Sequence, residues 1–241
     1  MLESTTIYPG EVFTDTKFFD TGIRQLVPYY DQMLEAIAAC IPHDARRLLE
    51  LGCGTGELSL KLLKRCPDAH LVAMDYSPRM IKIAQSKLIE AQLNNRVTLI
   101  QADFGAWANE EINEQIKTDF DGCFSSLAIH HLDNQMKQNL FNCIRNNLSN
   151  GGCFWNADPI IQESEQLQES YLKLREKWTQ TQGKTIADVR SLIGNSQPQG
   201  YSGQDRLATL DTHLSMLKLA GFKSVAVPWR FFGLAIFGGW V

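Results

Sequence analysis

Glu50-Leu51-Gly52-Cys53-Gly54-Thr55-Gly56-Glu57-Leu58 decides the fold. It follows the aliphatic run Arg46-Arg47-Leu48-Leu49 and leads into a stretch of helical period, so it reads as the turn between a strand and a helix. Three glycines within five residues let the backbone come close to a ligand and aim its amides at it. The dinucleotide pattern G-x-G-x-x-G would place a third glycine where Glu57 stands, and here an acid, Glu50, precedes the loop. Two phosphates beside Glu50 would be repelled. A ligand carrying a cation and no pyrophosphate fits the loop better.

Outward from the loop, short aliphatic runs alternate with helical stretches, which is the pattern of βαβ units on a parallel sheet. The strand-like runs are Arg46–Leu51, His70–Asp75, Val97–Ala102, Phe120–Leu127 and Gly152–Asp158. Ser77-Pro78 opens one helix with a capping serine and a first-turn proline. Asp133 caps another, carrying Met136, Leu140, Ile144 and Leu148 every four residues and ending at Gly151-Gly152. Ahead of the sheet, Tyr30, Leu34, Ile37, Ala38 and Ile41 form one apolar helical face, with Pro28 in its first turn. After the fifth strand, Leu167, Tyr171, Leu174 and Trp178 recur at helical spacing in the polar stretch Gln162–Thr181, and Ser191–Asp205 reads as a mobile loop. A helix over Arg206–Ala220 and strands around Val225–Phe231 and Leu234–Trp240 close the chain.

Composition limits the function. The 241 residues carry 23 Lys plus Arg against 27 Asp plus Glu, a net charge of −4, so no extensive nucleic-acid or anionic-membrane surface is expected. Six cysteines lie scattered without metal-ligand spacing, so reduced core thiols and no metal are expected. No run approaches about 18 apolar residues and no signal peptide is recognisable, which makes the cytoplasm the expected compartment. A homodimer stays open.

Four further stretches extend the pattern. They are Val72-Ala73-Met74-Asp75-Tyr76-Ser77-Pro78-Arg79-Met80, Gln101-Ala102-Asp103-Phe104, the run from Phe120 through Ser125-Ser126-Leu127-Ala128-Ile129-His130-His131-Leu132, and Leu148-Ser149-Asn150-Gly151-Gly152. In this order and spacing, with Ala220-Gly221-Phe222 near the end, residues 46–157 resemble the class I S-adenosylmethionine-dependent methyltransferases. The resemblance implies an α/β, Rossmann-like, mostly parallel seven-stranded sheet of order 3-2-1-4-5-7-6, strand seven antiparallel, with helices on both faces and a helical lid. It implies one domain over 1–241, a helical cover over 1–45 and an inserted lid or substrate segment over 160–205. S-adenosylmethionine is the implied cofactor. The glycine loop with Glu50, Gly52, Cys53, Gly54 and Gly56, then Asp75 on the ribose diol, Tyr76 and Met80 on adenine, Ala102, Asp103 and Phe104 at its amino edge, Ser126 and Leu127 after strand four, and Arg24 from the cover would hold it. Asp75 or Asp103 could instead cap a helix.

Methyl transfer from a sulfonium is an in-line displacement in which alignment supplies much of the acceleration. A base is needed only if the acceptor loses a proton. His130, His131 and Asp158 lie beyond the carboxyl ends of strands four and five, where such sheets bind ligands, and are the catalytic candidates. The histidines could equally begin a helix beside the cofactor. Tyr30, Tyr171, Trp178 and Trp229 are the candidate substrate contacts. With no extra domain to hold a polymer, a small-molecule acceptor is implied. The alternatives are an NAD(P)-dependent oxidoreductase, a non-catalytic S-adenosylmethionine-binding protein, and a carboxy-S-adenosylmethionine synthase-like enzyme that would need a cation such as Arg24 for its extra carboxylate.

Overall fold

A computed structural model describes residues 16–109, 116, 119–193 and 205–241. In chain order its elements are α1 (Phe19–Leu26), α2 (Tyr30–Ala39), β1 (Arg47–Leu51), α3 (Glu57–Arg65), β2 (His70–Asp75), α4 (Pro78–Glu90), β3 (Val97–Gln101) and α5 (Phe104–Ala108). There follow β4 (Phe120–Ser126), α6 (Asn134–Asn147), β5 (Leu148–Pro159), α7 (Glu165–Gln180), α8 (Ile186–Ile193), α9 (Leu210–Leu219), β6 (Ala226–Phe231) and β7 (Leu234–Trp240). The sheet has the order β3-β2-β1-β4-β5-β7-β6. β7 runs antiparallel to both β5 and β6, and the other pairings are parallel.

Period-two alternation explains the two cores. Leu48, Phe124 and Trp155 face α2 and α3, where Met33, Leu34, Ile37, Leu62 and Leu63 are buried. Leu49, Leu51, Cys123 and Phe154 face the other way, onto Trp107, Leu140, Phe141, Ile144 and Leu217. With both faces covered, the central strands read as near-continuous apolar runs. All six cysteines are free, and Cys53, Cys66, Cys123 and Cys153 are buried. Among the described residues, no helix is long and apolar enough to cross a membrane.

Several boundaries differ from the sequence reading, each for a tertiary reason. Pro28 is not in a first helical turn. It sits in the bend between α1 and α2, where Tyr29 takes a left-handed φ of 60° and caps α2. α6 ends at Asn147 and not at the glycine pair, because Leu148 already pairs with Phe120 of β4; Gly151, at φ 79°, bends the start of β5. Residues 205–209 are not helical: the Arg206 amide donates to the His130 carbonyl at 2.8 Å, and the Ala208 carbonyl accepts from the Ile161 amide at 2.9 Å. Of the expected loop over 191–205, Ser191–Ile193 belong to α8, while 194–204 lie outside the described residues. α1 falls within the span expected as a helical cover, though its own bounds were not read from the sequence.

Candidate cofactor and acceptor site

The glycine loop opens where β1 ends. Gly52, Gly54 and Gly56 have φ of 69°, 53° and 83°, a region other residues enter at a cost of about 1–2 kcal/mol. From below the loop is closed: a Cβ on Gly52 would lie 2.4 Å from the Ala128 Cβ and 3.6 Å from the Phe104 ring. Above it is open, since a Cβ on Gly54 would meet no atom within 4 Å. Beside that opening the Asp75 carboxylate accepts from the Gly54 amide at 2.7 Å and from the Ser77 amide at 2.8 Å.

The two acids that share the strand-end position do different local work. Ser77, not Asp75, caps α4, accepting from the Met80 amide at 3.2 Å. Asp103 does cap α5, accepting from the Gly105 amide at 2.7 Å. Met80 is buried and Tyr76 half-buried beside them, and the Ala102 amide donates to the Asp75 carbonyl at 3.0 Å. Glu50 is only 1% exposed; its carboxylate accepts from the Ser59 hydroxyl at 2.5 Å, beneath the loop. Burial pushes its pKa up to about 8, against the Ser59 hydrogen bond, and Asp75 adds to the rise. Cys53 points inward as well, its thiol held far above its ordinary range by burial. Of the loop residues named from sequence, these two side chains therefore support it from below.

At the other end of the cleft, β4 finishes at Ser126, whose buried hydroxyl has no hydrogen-bond partner among the described residues, and Leu127 adopts φ 52° with its amide on the Ala157 carbonyl at 2.9 Å. A single 3₁₀ turn, Ile129–His131, then sets both histidines side by side, ring centroids 4.1 Å apart. Asp158 is fully buried at the end of β5; its Oδ1 lies 2.9 Å from His130 Nδ1 and its Oδ2 accepts from the Asn156 amide nitrogen at 2.9 Å. Burial alone would push the Asp158 carboxyl up, but His130, Asn156 and His213 outweigh it and hold it below the usual carboxylate range. An ionised carboxylate only accepts, so His130 Nδ1 is the donor of that contact, while Nε2 on the other side of the ring lies 3.6 Å from Asp205 Oδ1.

A methyltransferase-domain family model matches residues 48–152, the span that carries the loop, both strand-end acids and the histidine turn. A carboxy-S-adenosyl-L-methionine synthase of Campylobacter hominis is 26% identical over 91% of this chain and 88% of its own length. A malonyl-[acyl-carrier protein] O-methyltransferase of Ilyobacter polytropus is 35% identical over 44% of this chain and 35% of its own. The solved O-methyltransferase family protein of Burkholderia thailandensis superposes with a TM-score of 0.62 at 15% identity, covering 92% of this chain, which spans 58% of that larger one. Together these matches support a class I S-adenosylmethionine-dependent methyltransferase, with the methyltransferase domain itself over residues 48–152. Its cofactor is S-adenosylmethionine, and the loop open above Gly54 between Asp75 and the unpartnered Ser126 hydroxyl fits that group.

In this methyltransferase the N-terminal helices are bolted to the cofactor loop by charge. Asp20 of α1 accepts from the Thr55 hydroxyl at 2.5 Å and from Lys87 Nζ at 2.5 Å, and Lys87 also reaches Glu57 at 2.5 Å. Arg24 pairs with Glu57 and with Asp31, and lies over the Tyr30 ring at 5.3 Å. Burial opposes the Arg24 charge, but Glu57 and Asp31 more than offset it and keep the guanidinium firmly protonated. Arg24 therefore spends its donors within the protein, and Tyr30, 7% exposed, packs under it. The other aromatic candidates meet in one belt. Trp178 stacks near Tyr29 at 5.4 Å and donates its indole N–H to the Arg24 carbonyl at 3.1 Å; Tyr29 meets Phe231 at 4.6 Å, and Phe231 leads to Trp229 at 6.5 Å and to Phe232 at 5.3 Å. Tyr171 stacks on Phe232 at 6.1 Å.

Sequence reasoning missed Asn156, Lys137, His213 and Asp205 around Asp158. Lys137 falls on the apolar stripe of α6, yet is buried with its Nζ 2.5 Å from the Arg206 carbonyl. Burial lowers its pKa, against Asp158 and Asp133. A lysine interrupting an otherwise apolar stripe was the available signal; Asp205 carried none.

Proposed function

We propose that this methyltransferase acts on a small acceptor that gives up a proton, with His130 Nε2 receiving it and Asp158 orienting the imidazole. The His130–Asp158 contact at 2.9 Å between two buried side chains supports this reading. When bound, S-adenosylmethionine supplies a methyl group already activated by the sulfonium charge. The part of His130 in the transfer is to receive the acceptor's proton, which would pass to its Nε2. Asp158 stabilises the imidazolium without taking the proton, as buried triad carboxylates do. Helices α1, α2 and α7, joined by the aromatic belt, would close over the acceptor and exclude water. A small molecule, and not a nucleic acid, suits a chain of net charge −4.

The extent of the match to the Campylobacter hominis relative favours one second reading, transfer chemistry on the cofactor itself. That would require a cation for an added carboxylate, whereas Arg24 is engaged by Glu57 and Asp31. Mass spectrometry after incubation with methyl-labelled donor and a panel of small phenols, amines, thiols and acidic carbon compounds separates the two. Label in an acceptor with S-adenosylhomocysteine as co-product supports methyl transfer; a cofactor heavier by one carboxyl group overturns it. Within methyl transfer, His130→Gln is expected to lower turnover about 10²–10⁴-fold with cofactor affinity near wild type. Loss of affinity in step with rate would make His130 a wall of the cofactor pocket.

A further inference from the structure

The histidine turn has a third member that the reaction above leaves unused. Asp205 Oδ1 lies 3.6 Å from His130 Nε2 and 3.9 Å from His131 Nδ1, and one ligand atom from each of the three residues falls within 4.8 Å of the others. We propose that His130, His131 and Asp205 form a site for a divalent transition-metal ion of the Zn²⁺, Co²⁺ or Ni²⁺ kind.

Three features carry this. Two imidazoles and one carboxylate are the donor set of borderline ions, which bind at about 2.0–2.2 Å; a tetrahedral arrangement puts ligand atoms about 3.4 Å apart, close to the two carboxylate distances, and the whole set, spread over no more than 4.8 Å, would draw in around the ion. His130 presents its outer nitrogen to the cluster while its inner one is held by a buried carboxylate, the arrangement that fixes tautomer and ring orientation in metal-binding histidines. The residue after Asp205 is docked rigidly: the Arg206 amide donates to the His130 carbonyl and Lys137 Nζ donates to the Arg206 carbonyl, at 2.8 and 2.5 Å. The positive charges nearest the cluster have acidic or carbonyl partners, since Arg206 lies 3.6 Å from Asp133. Three protein ligands leave at least one position open to water or to an acceptor oxygen, which would sit at the acceptor end of the cleft.

The proposal rests on the reading of this turn as the acceptor end, and metal and proton compete for the same Nε2 lone pair. The test is direct binding to the untagged full-length chain after stripping with chelator. CoCl₂ is added while visible absorption is recorded, and ZnCl₂ binding is measured by calorimetry. One saturable equivalent is expected, weakened at least about tenfold in both Asp205→Asn and His131→Ala, with circular dichroism and cofactor binding confirming that the variants are folded. Absence of saturable binding, wild-type affinity in either variant, or an intense near-ultraviolet thiolate band placing cobalt on cysteine overturns the site. No metal binding, together with lost turnover in His130→Gln, removes the metal site alone; metal binding with full turnover in that variant removes the base alone.

Discussion

Asp75 shows how much one carboxylate does here. It fixes the Gly54 and Ser77 amides and still faces the open side of the loop, so removing it weakens the ligand contact and loosens the loop together. Asp75→Ala is expected to cost about 1.5–3 kcal/mol of S-adenosylmethionine binding by calorimetry, the range for hydrogen bonds to a charged group. Retained affinity in a folded variant would place the ribose elsewhere. Glu50 makes a prediction of opposite kind. Its folded pKa of about 8 lies above the value of about 4.5 that it has when unfolded, so between those values the folded state holds a proton that the unfolded state has lost. Its contribution to stability is complete below about pH 4.5 and falls as pH rises to about 8. Denaturant unfolding across that range is expected to show this decline in wild type and a flatter profile in Glu50→Gln; parallel profiles would show that Glu50 is ionised in the folded protein.

Among the elements, α1 is the one whose place depends most on a single residue. Gly22 lets it lie against α8, where a Cβ would come within 2.3 Å of the Ile193 Cγ2. Ile193 is itself buried, so the neighbour has little room to yield. Gly22→Val is expected to destabilise the protein by about 1–3 kcal/mol in equilibrium unfolding, with part of the loss recovered by adding Ile193→Ala. An additive double variant would mean that the two helices are not packed in solution as they are here. The elements that sequence revealed best are those set by local rules. The Ser77 and Asp133 caps and the strands β2 and β7 stand where they were read, because a cap or a short apolar run is written within a few residues. The bounds of α1, within the expected helical cover, escaped notice because its buried Ile23 and Leu26 show themselves only against α7 and α8.

For the whole molecule, the cofactor is a stability term. Ligand that binds only the folded state at about 100 times its Kd adds about 2.7 kcal/mol, which for a chain of this size raises Tm by about 5–10 °C. Thermal unfolding with and without S-adenosylmethionine is expected to show that shift. An unchanged Tm at saturating cofactor would contradict the cleft between the glycine loop, Asp75 and Ser126 as its binding site.

The sequence by itself determined the sheet, its cofactor loop and the acids at the strand ends, because each of these is encoded by residues close together in the chain: a glycine where φ must be positive, an acid where a strand stops, an apolar run where both faces are covered. Even the pairing candidates His130 and Asp158 could be named, since strand ends converge on one side of such a sheet. Only the tertiary structure decided that Glu50 and Cys53 face away from the cleft, that Arg24 is consumed by Glu57 and Asp31, and that Asp205 returns to the histidine turn. Those outcomes depend on contacts between segments far apart in sequence, where burial and charge pairing, and not local pattern, set the direction of a side chain.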